Sequence, residues 1–221
     1  MKIKKLNADQ VWDFENGFHW FSDPSRLNKI LAHYELYKKI INIPGDVFEF
    51  GVFKGGSLIR FLTFRNMLES DTSRKIVGFD TFGEFPNINV SNKNDKEFIS
   101  THTKVAGGSL SKEEMTEIIN FKKFDNVELI KGNIFETLET YLKKNAHTKL
   151  SLLHMDLDVF KPTEFALNLL YERVVKDGII IFDDYPYIEG GMKAVDAFLS
   201  KYDLKIQKLP FYKIPSFIVK K

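Results

Sequence analysis

Four aspartates directly follow two strongly apolar segments, and their spacing is the most informative chemical feature of the sequence. Asp156 and Asp158 follow one segment, and the adjacent pair Asp183 and Asp184 follows the other. If the segments are neighbouring strands of a sheet, about 4.8 Å apart, the acids after them meet at one edge. If strand geometry persists, Asp156 and Asp158 also face the same way. A divalent cation would relieve the repulsion among these carboxylates, and all-oxygen ligands favour Mg²⁺, with Mn²⁺ or Ca²⁺ as alternatives.

Histidine and cysteine offer no comparable cluster. The chain has no cysteine, which excludes disulfides, thiolate zinc sites and a cysteine nucleophile. His154 lies inside an apolar segment, and we interpret it as a partly buried strand residue and not as a ligand. The remaining histidines show no spacing typical of a metal site: His19, His33, His102 and His147. The predicted metal site therefore consists of carboxylates.

A glycine-containing segment, residues 49–57, follows the first strand candidate. Its glycines allow a tight turn and the close approach of a ligand to the backbone. The helix that begins near Gly56 offers free N–H groups to a carboxylate or phosphate. The spacing is not the Gly-x-Gly-x-x-Gly pattern of dinucleotide-binding folds, and an ordinary strand-to-helix turn is the alternative interpretation.

Two further polar residues end strand candidates. Asp80 could accept hydrogen bonds from both ribose hydroxyls of a nucleoside, or it could be a solvated loop acid. Asn133 could bind an adenine edge because its amide both donates and accepts, or it could form a turn after Gly132. The residues alone do not choose between these alternatives.

The elements that would position these residues alternate between short apolar strands and helices. Strand candidates cover residues 47–50, 75–79, 127–130, 150–155 and 178–182, and helix candidates include residues 57–67, 163–171, 191–201 and the segment opened by a capping box at Ser111. This alternation predicts an α/β protein with a Rossmann-like, doubly wound, mostly parallel sheet. In such sheets ligands bind beyond the carboxyl ends of the strands.

Both ends of the chain depart from this alternation. Asp23-Pro24-Ser25 begins a helix, and we interpret residues 1–44 as an N-terminal helical cap on a core over residues 45–221. Near the other end, two strand-like runs at 204–209 and 216–219 are joined too closely for a crossover helix, which predicts an antiparallel hairpin. No linker-like segment divides the chain, so we expect a single domain over residues 1–221.

The amino-acid composition limits the binding partners and the cellular compartment that we expect for this protein. The 32 Lys plus Arg nearly balance the 30 Asp plus Glu, which gives no electrostatic reason to expect nucleic acid. A hydrophobic fraction of 43% excludes a disordered or collagen-like chain. The basic N-terminus is not followed by an apolar signal core, and no apolar run approaches the ~20 residues of a membrane helix. We therefore expect a cytoplasmic protein without a membrane partner.

Taken together, the motifs resemble the macrocin O-methyltransferase (TylF-type) family of S-adenosylmethionine-dependent enzymes. The resemblance covers roughly residues 45–202 and is carried by the segments 47–57, 78–86, 130–138, 152–163 and 178–199. Its most specific part is the pairing of Asp-x-Asp at Asp156 with the later Asp-Asp-Tyr at Asp183.

The resemblance implies a role for each candidate residue. It implies Asp156, Asp183 and Asp184 as ligands of Mg²⁺ (or Mn²⁺) and Asp158 as the general base. It implies that S-adenosylmethionine contacts Glu49 and Gly51 with its methionine part, Asp80 with its ribose, Asn133 and Ser109 with its adenine, and Asp156 beside the metal. The N-terminal helix of the family commonly serves substrate selection or dimerisation, so a homodimer is also expected.

The activity implied is Mg²⁺-dependent methyl transfer to a hydroxyl of a sugar, in a nucleotide-linked sugar, a polysaccharide or a glycosylated natural product precursor. Asp158 would take the hydroxyl proton, and residues 81–108 are long enough for an active-site lid. A catechol-type O-methyltransferase acting on a small aromatic diol is an alternative. A nicotinamide-dependent oxidoreductase is a weaker one, because the third glycine of its motif is missing.

Overall fold

The structure, a computed structural model, describes residues 1–85 and 93–221. Its strands are β1 (Lys2–Ile3), β2 (Leu6–Asn7), β3 (Asp46–Phe50), β4 (Ile76–Asp80), β5 (Val127–Lys131), β6 (Leu150–Met155), β7 (Val174–Phe182), β8 (Gln207–Leu209) and β9 (Tyr212–Val219). Its α-helices are α1 (Val11–Phe21), α2 (Pro24–Lys38), α3 (Gly56–Leu68), α4 (Lys93–Ala106), α5 (Lys112–Phe121), α6 (Ile134–Lys144), α7 (Phe160–Leu170) and α8 (Glu189–Tyr202). Pro86, the last residue of one motif segment, lies outside the described residues.

One seven-stranded sheet organises the chain, in the order β5-β4-β3-β6-β7-β9-β8. Strands β3 to β7 pair in parallel, whereas β9 is antiparallel to both β7 and β8. The predicted doubly wound sheet with a C-terminal antiparallel hairpin is confirmed. The chain moves outward from β3 to β5 and then returns to place β6 beside β3, so the order reverses between β3 and β6. Ligands of such sheets bind at this switch point.

Three strands begin three or four residues away from the positions that the apolar pattern predicts. Strand β7 starts at Val174, four residues before the predicted start at Gly178. In the hairpin, β8 starts only at Gln207 and β9 already at Tyr212. Backbone pairing extends a strand into polar residues as long as a neighbouring strand supplies partners, which apolar runs alone do not reveal.

The central strands are buried on both faces by alternating side chains. In β7, Ile179 and Ile181 join the hydrophobic cluster beneath α2, α3 and α5, whereas Ile180 and Phe182 join the cluster beneath α6, α7 and α8. This alternation explains why the central strands read as continuous apolar runs. It also decides which face each residue after a strand approaches.

The N-terminal cap is integrated into the first of these clusters. The Asp23 carboxylate accepts a hydrogen bond from the backbone N–H of Ser25 at 2.8 Å, and Pro24 occupies the first turn of α2. Helix α2 packs against α3 and β9 and buries Leu36 and Tyr37. The cap therefore brings side chains from α2 to the sheet.

The polar segment at residues 81–108 contains a helix in its second half, α4. The buried Asp95 of this helix accepts a hydrogen bond from the backbone N–H of Phe160 at 3.3 Å. A methyl group at Gly190 would lie 2.1 Å from an Asp95 oxygen, so α4 and α8 are closely apposed. Within the described residues, no helix combines the length and the apolar character needed to span a membrane.

Candidate active site

A pocket of about 870 Å³ opens at the carboxyl ends of the central strands, at the switch point. It brings together the candidate residues of six separate segments: Gly51, Asp80, Ser109, Asn133, Asp156, Asp158, Asp183 and Asp184. Glu49 is not among the lining residues, because its side chain is fully buried behind the glycine loop.

The glycine loop is shaped by close backbone packing. Gly51 has a φ of +87°, and a Cβ at this position would lie 1.8 Å from the carbonyl oxygen of Asp156, so a side chain cannot be accommodated. Ser57 Oγ donates a hydrogen bond to Glu49 Oε1 at 2.6 Å, and Glu49 Oε2 has no hydrogen-bond partner. Burial raises the pKa of Glu49 to about 7. The loop therefore presents Gly51 and the free N–H groups at the start of α3 to the pocket.

Asp80 and Asn133 are built into turns and also line the pocket. The Asp80 carboxylate accepts hydrogen bonds from the backbone N–H groups of Phe53 at 2.9 Å and Phe82 at 2.6 Å, so it is not a freely solvated loop acid. Burial raises the pKa of Asp80, and these hydrogen bonds act against that rise. Asn133 caps α6 by accepting from the N–H of Phe135 at 3.2 Å. Asn133 therefore forms a turn and also lines the pocket, so the two interpretations do not exclude each other.

Three of the four strand-end acids form an acid trio, which we define as Asp156, Asp158 and Asp184. Each offers a carboxylate oxygen, and these oxygens lie within 4.8 Å of one another. Strand geometry does not persist to Asp158, which has a φ of +62°, a conformation that Asp tolerates better than most residues. The N–H of Gly191 donates to the Asp158 carbonyl at 2.8 Å and holds this turn. A turn, and not strand alternation, thus brings Asp158 back towards Asp156.

The acid trio carries an excess of negative charge. Burial, followed by the charge of Asp183, raises the pKa of Asp156 well above its usual value. Burial, followed by the charge of Asp184, does the same for Asp158. Three converging carboxylates with a mutual repulsion of this kind have the donor chemistry of a hard divalent cation. The residues therefore fit Mg²⁺ or Mn²⁺.

Asp183 lies in a different cluster, which we call the buried triad: His33, His154 and Asp183. Asp183 Oδ1 lies 3.3 Å from His33 Nε2 and 3.1 Å from His154 Nε2, and the ammonium of Lys29 donates to Oδ2. Burial acts to raise the pKa of Asp183, but the hydrogen bonds from His154 and His33 and the charge of Lys29 hold that pKa well below its usual value. Asp156, Asp183 and Asp184 are the residues expected to share a cation. Of these, Asp183 already has both carboxylate oxygens bonded to protein side chains.

The histidines and the lysine of this cluster are the part that sequence reasoning missed. In the sequence, His33 is one of several scattered histidines without the spacing of a metal site, and Lys29 is one of many lysines. Burial lowers the pKa of His33 to about 4, so it is a neutral donor to Asp183. Arg26, Lys29 and His33 recur at spacings of three and four residues, which places them on one face of α2. That polar face on an otherwise core-forming helix is the signal that could have found them.

Comparison with known proteins identifies the family. Residues 25–215 match the sequence model described as Macrocin-O-methyltransferase (TylF). The chain belongs to the TylF macrocin O-methyltransferase family. The expected family is therefore confirmed.

Curated relatives are O-methyltransferases by name. The chain is 28% identical over 169 residues to demethyldecarbamoylnovobiocin O-methyltransferase of Streptomyces niveus, which covers 74% of this chain and 61% of the relative. It is 28% identical over 179 residues to mycinamicin III 3''-O-methyltransferase of Micromonospora griseorubida, covering 78% of this chain and 67% of the relative. The chain thus spans about three fifths of the length of the first of these.

Solved structures agree on the fold. The O-methyltransferase NovP superposes with a TM-score of 0.73 at 23% identity, covering 87% of this chain and 79% of NovP. The calicheamicin methyltransferase CalS11 superposes with a TM-score of 0.71 at 23% identity, covering 98% of this chain and 86% of CalS11. At this identity the likeness concerns the fold, and the expected Rossmann-like α/β architecture is confirmed.

Proposed function

We propose that this TylF-family protein is an S-adenosylmethionine-dependent O-methyltransferase that acts on a sugar hydroxyl. The observation that carries the proposal is the single pocket that joins the glycine loop, Asp80 and Asn133 to the acid trio. The acceptor classes we consider are a nucleotide-linked sugar, a polysaccharide and a glycosylated natural product precursor. A relative from Streptomyces olivaceus named as a 4'-O-methyltransferase of a rhamnosyl tetracenomycin C supports a sugar acceptor.

The donor would lie along the strand ends from β3 to β5. S-adenosylmethionine supplies a methyl group on a sulfonium when it is bound. Gly51 and the N–H groups at the start of α3 would hold its methionine carboxylate, since a helix N-terminus favours an anion. Asp80 would accept from the ribose hydroxyls, and Asn133 with Ser109 would border the adenine. Glu49 would support the methionine end through Ser57, to which it is hydrogen-bonded.

Asp158 is the proposed general base. An alcohol is a poor nucleophile until it loses its proton, so a carboxylate within hydrogen-bond reach accelerates the transfer. As the new C–O bond forms and the C–S bond breaks, the hydroxyl proton would pass to Asp158. The pocket walls would hold the oxygen, methyl carbon and sulfur in line.

Asp156 and Asp184 are the proposed ligands of Mg²⁺ or Mn²⁺, and such an ion would orient the acceptor oxygens and stabilise their developing negative charge. Asp183, the third ligand implied by the family resemblance, would join them only if Lys29 released its Oδ2 atom. Lys29 and a cation would thus compete for the same carboxylate oxygen.

Calorimetry with S-adenosylhomocysteine and with NAD, each with and without Mg²⁺, tests this proposal. We expect S-adenosylhomocysteine to bind and NAD not to bind. The reverse result would favour the oxidoreductase alternative. A screen of radiolabelled methyl transfer to sugars and to catechols then separates the two methyltransferase alternatives.

We further propose that residues 1–221 form one domain and that α1 mediates a homodimer. Integration of α2 into the hydrophobic core supports a single domain.

The homodimer is supported by the exposed apolar side chains of α1. Trp12, Trp20 and Phe21 are 72%, 70% and 83% exposed, and such apolar exposure is typical of an interaction surface. Light scattering should give twice the chain mass, and a Trp20→Ser/Phe21→Ser variant should give the monomer mass.

A further inference from the structure

Two arginines line the same pocket without any role in the function proposed above. Arg26 comes from α2 and Arg60 from α3, one turn beyond Ser57. Neither guanidinium has a hydrogen bond or an ion pair with another residue in the described part of the chain. Each guanidinium presents about five N–H donors and no acceptor. The pocket therefore contains a group of donors that the protein itself does not satisfy.

The other arginines of the chain form hydrogen bonds or ion pairs with protein groups. Arg65 donates to three backbone carbonyls and pairs with Asp71, and Arg74 pairs with Glu69 and donates to backbone carbonyls. Arg173 donates to the carbonyl of Ala146 at 2.9 Å. Against this pattern, Arg26 and Arg60 are exceptional, because both face the pocket and both lack such partners.

The positive charges of Arg26 and Arg60 favour the binding of an anion between them and the pocket. Burial and then the charge of Arg26 lower the pKa of Arg60, so the two cations repel each other. The neighbouring Lys29 is paired with Asp183. The charges of Asp183 and Glu49 act to raise the pKa of Arg60, but no acid among the described residues lies within ion-pair distance of either arginine. A planar guanidinium matches phosphate oxygens in a two-bond geometry.

We propose that Arg26 and Arg60 form a subsite for a phosphate or diphosphate group carried by the acceptor sugar. The inference rests on the proposed function and deepens it: among the acceptor classes considered, it selects the nucleotide-linked sugar. The donor carboxylate is the competing anion, but the start of α3 already offers it N–H groups. The pocket of about 870 Å³ is large enough for a second ligand beside the donor.

Binding of inorganic pyrophosphate to enzyme saturated with S-adenosylhomocysteine provides the first arm of the test. Calorimetry without divalent cations compares the wild type with Arg26→Gln, Arg60→Gln and the double variant. We expect the double variant to bind pyrophosphate at least tenfold more weakly and S-adenosylhomocysteine as well as the wild type. Lys38→Gln removes one positive charge from the exposed end of the same helix and should change neither affinity.

The second arm measures methyl transfer to nucleoside diphosphate sugars and to the methyl glycosides of the same sugars. The double variant should lose at least tenfold in kcat/KM for the nucleotide sugars and less than twofold for the glycosides. A parallel loss of S-adenosylhomocysteine affinity would assign the arginines to the donor and overturn the inference. A similar loss of kcat/KM for nucleotide sugars and glycosides, or no loss for either, would also overturn it, while leaving the proposed methyltransferase intact. Absence of any S-adenosylhomocysteine binding in the wild type would instead remove the proposed function.

Discussion

Asp183 and Asp184 are consecutive residues at the end of β7, yet they lie in opposite electrostatic environments. Asp183 reaches the face covered by α2, where Lys29, His33 and His154 surround it. Asp184 points the other way and joins the acid trio. Both residues lie in the turn after Phe182, the last residue of β7, and their side chains approach different clusters, so one Asp-Asp pair supplies two sites.

The buried triad is balanced by its protein partners, whereas the acid trio is not. Removing one partner from a balanced buried cluster leaves the others uncompensated, which is costly. Carboxylates that repel one another lower the stability of the folded protein. Groups that are kept in spite of this cost are typical of functional sites. We therefore expect Asp183 to contribute mainly to stability and Asp184 to contribute mainly to the proposed chemistry.

The largest effect is expected at Asp158, the proposed general base in the acid trio. Asp158→Asn should lower kcat by about 10²- to 10⁴-fold, because the amide cannot accept the hydroxyl proton. Binding of S-adenosylhomocysteine, measured by calorimetry, should be unchanged. Asp177→Asn is the matched control, since Asp177 has almost the same φ, +63°, and is exposed outside the pocket. Full activity of Asp158→Asn would withdraw the assignment of the base.

The sharpest contrast in stability is expected between the two adjacent aspartates. Asp183→Ala should lower the free energy of unfolding by about 3 kcal/mol, because Lys29 and two histidines lose their buried acceptor. Asp184→Ala should leave that free energy unchanged or raise it slightly, since it removes a repulsive neighbour of Asp158. Urea denaturation measures both values, and equal losses in the two variants would contradict the division of roles.

A divalent cation should stabilise the folded protein through the acid trio. Mn²⁺ at about 100 times its dissociation constant should raise the free energy of unfolding by about 2.7 kcal/mol, because it binds the folded state preferentially. Thermal or urea denaturation with and without EDTA measures the shift. Asp184→Asn should abolish it and Asp177→Asn should preserve it. A shift that survives Asp184→Asn would place the cation elsewhere.

The smallest effect is expected for Lys29, which pairs with Asp183 of the buried triad and lies near the acid trio. Lys29→Met should increase the affinity for Mn²⁺ about tenfold, equivalent to about 1.4 kcal/mol, because a nearby positive charge disappears and Asp183 Oδ2 becomes free. Electron paramagnetic resonance of free Mn²⁺ gives the affinity. Lys38→Met, on the exposed end of the same helix, is the control. An unchanged affinity in Lys29→Met would mean that the two clusters are not coupled.

Much of the fold could be predicted because its signals are local. Apolar runs placed β3 to β7, the capping box at Ser111 placed α5, and the short final connection predicted the hairpin. Strand starts were less predictable, since Val174 owes its strand conformation to pairing with Leu150 on the neighbouring strand.

For the site, the sequence by itself determined which acids follow the strands and that the strand ends share one pocket. Only the tertiary structure decided how those acids are divided. Asp183 takes its partners from α2, where His33 is 150 and Lys29 154 positions away along the chain. Arg26 and Arg60 likewise meet across two helices. Local periodicity carries no information about which distant helix covers a given strand end, because that choice depends on the packing of the whole sheet and its helices.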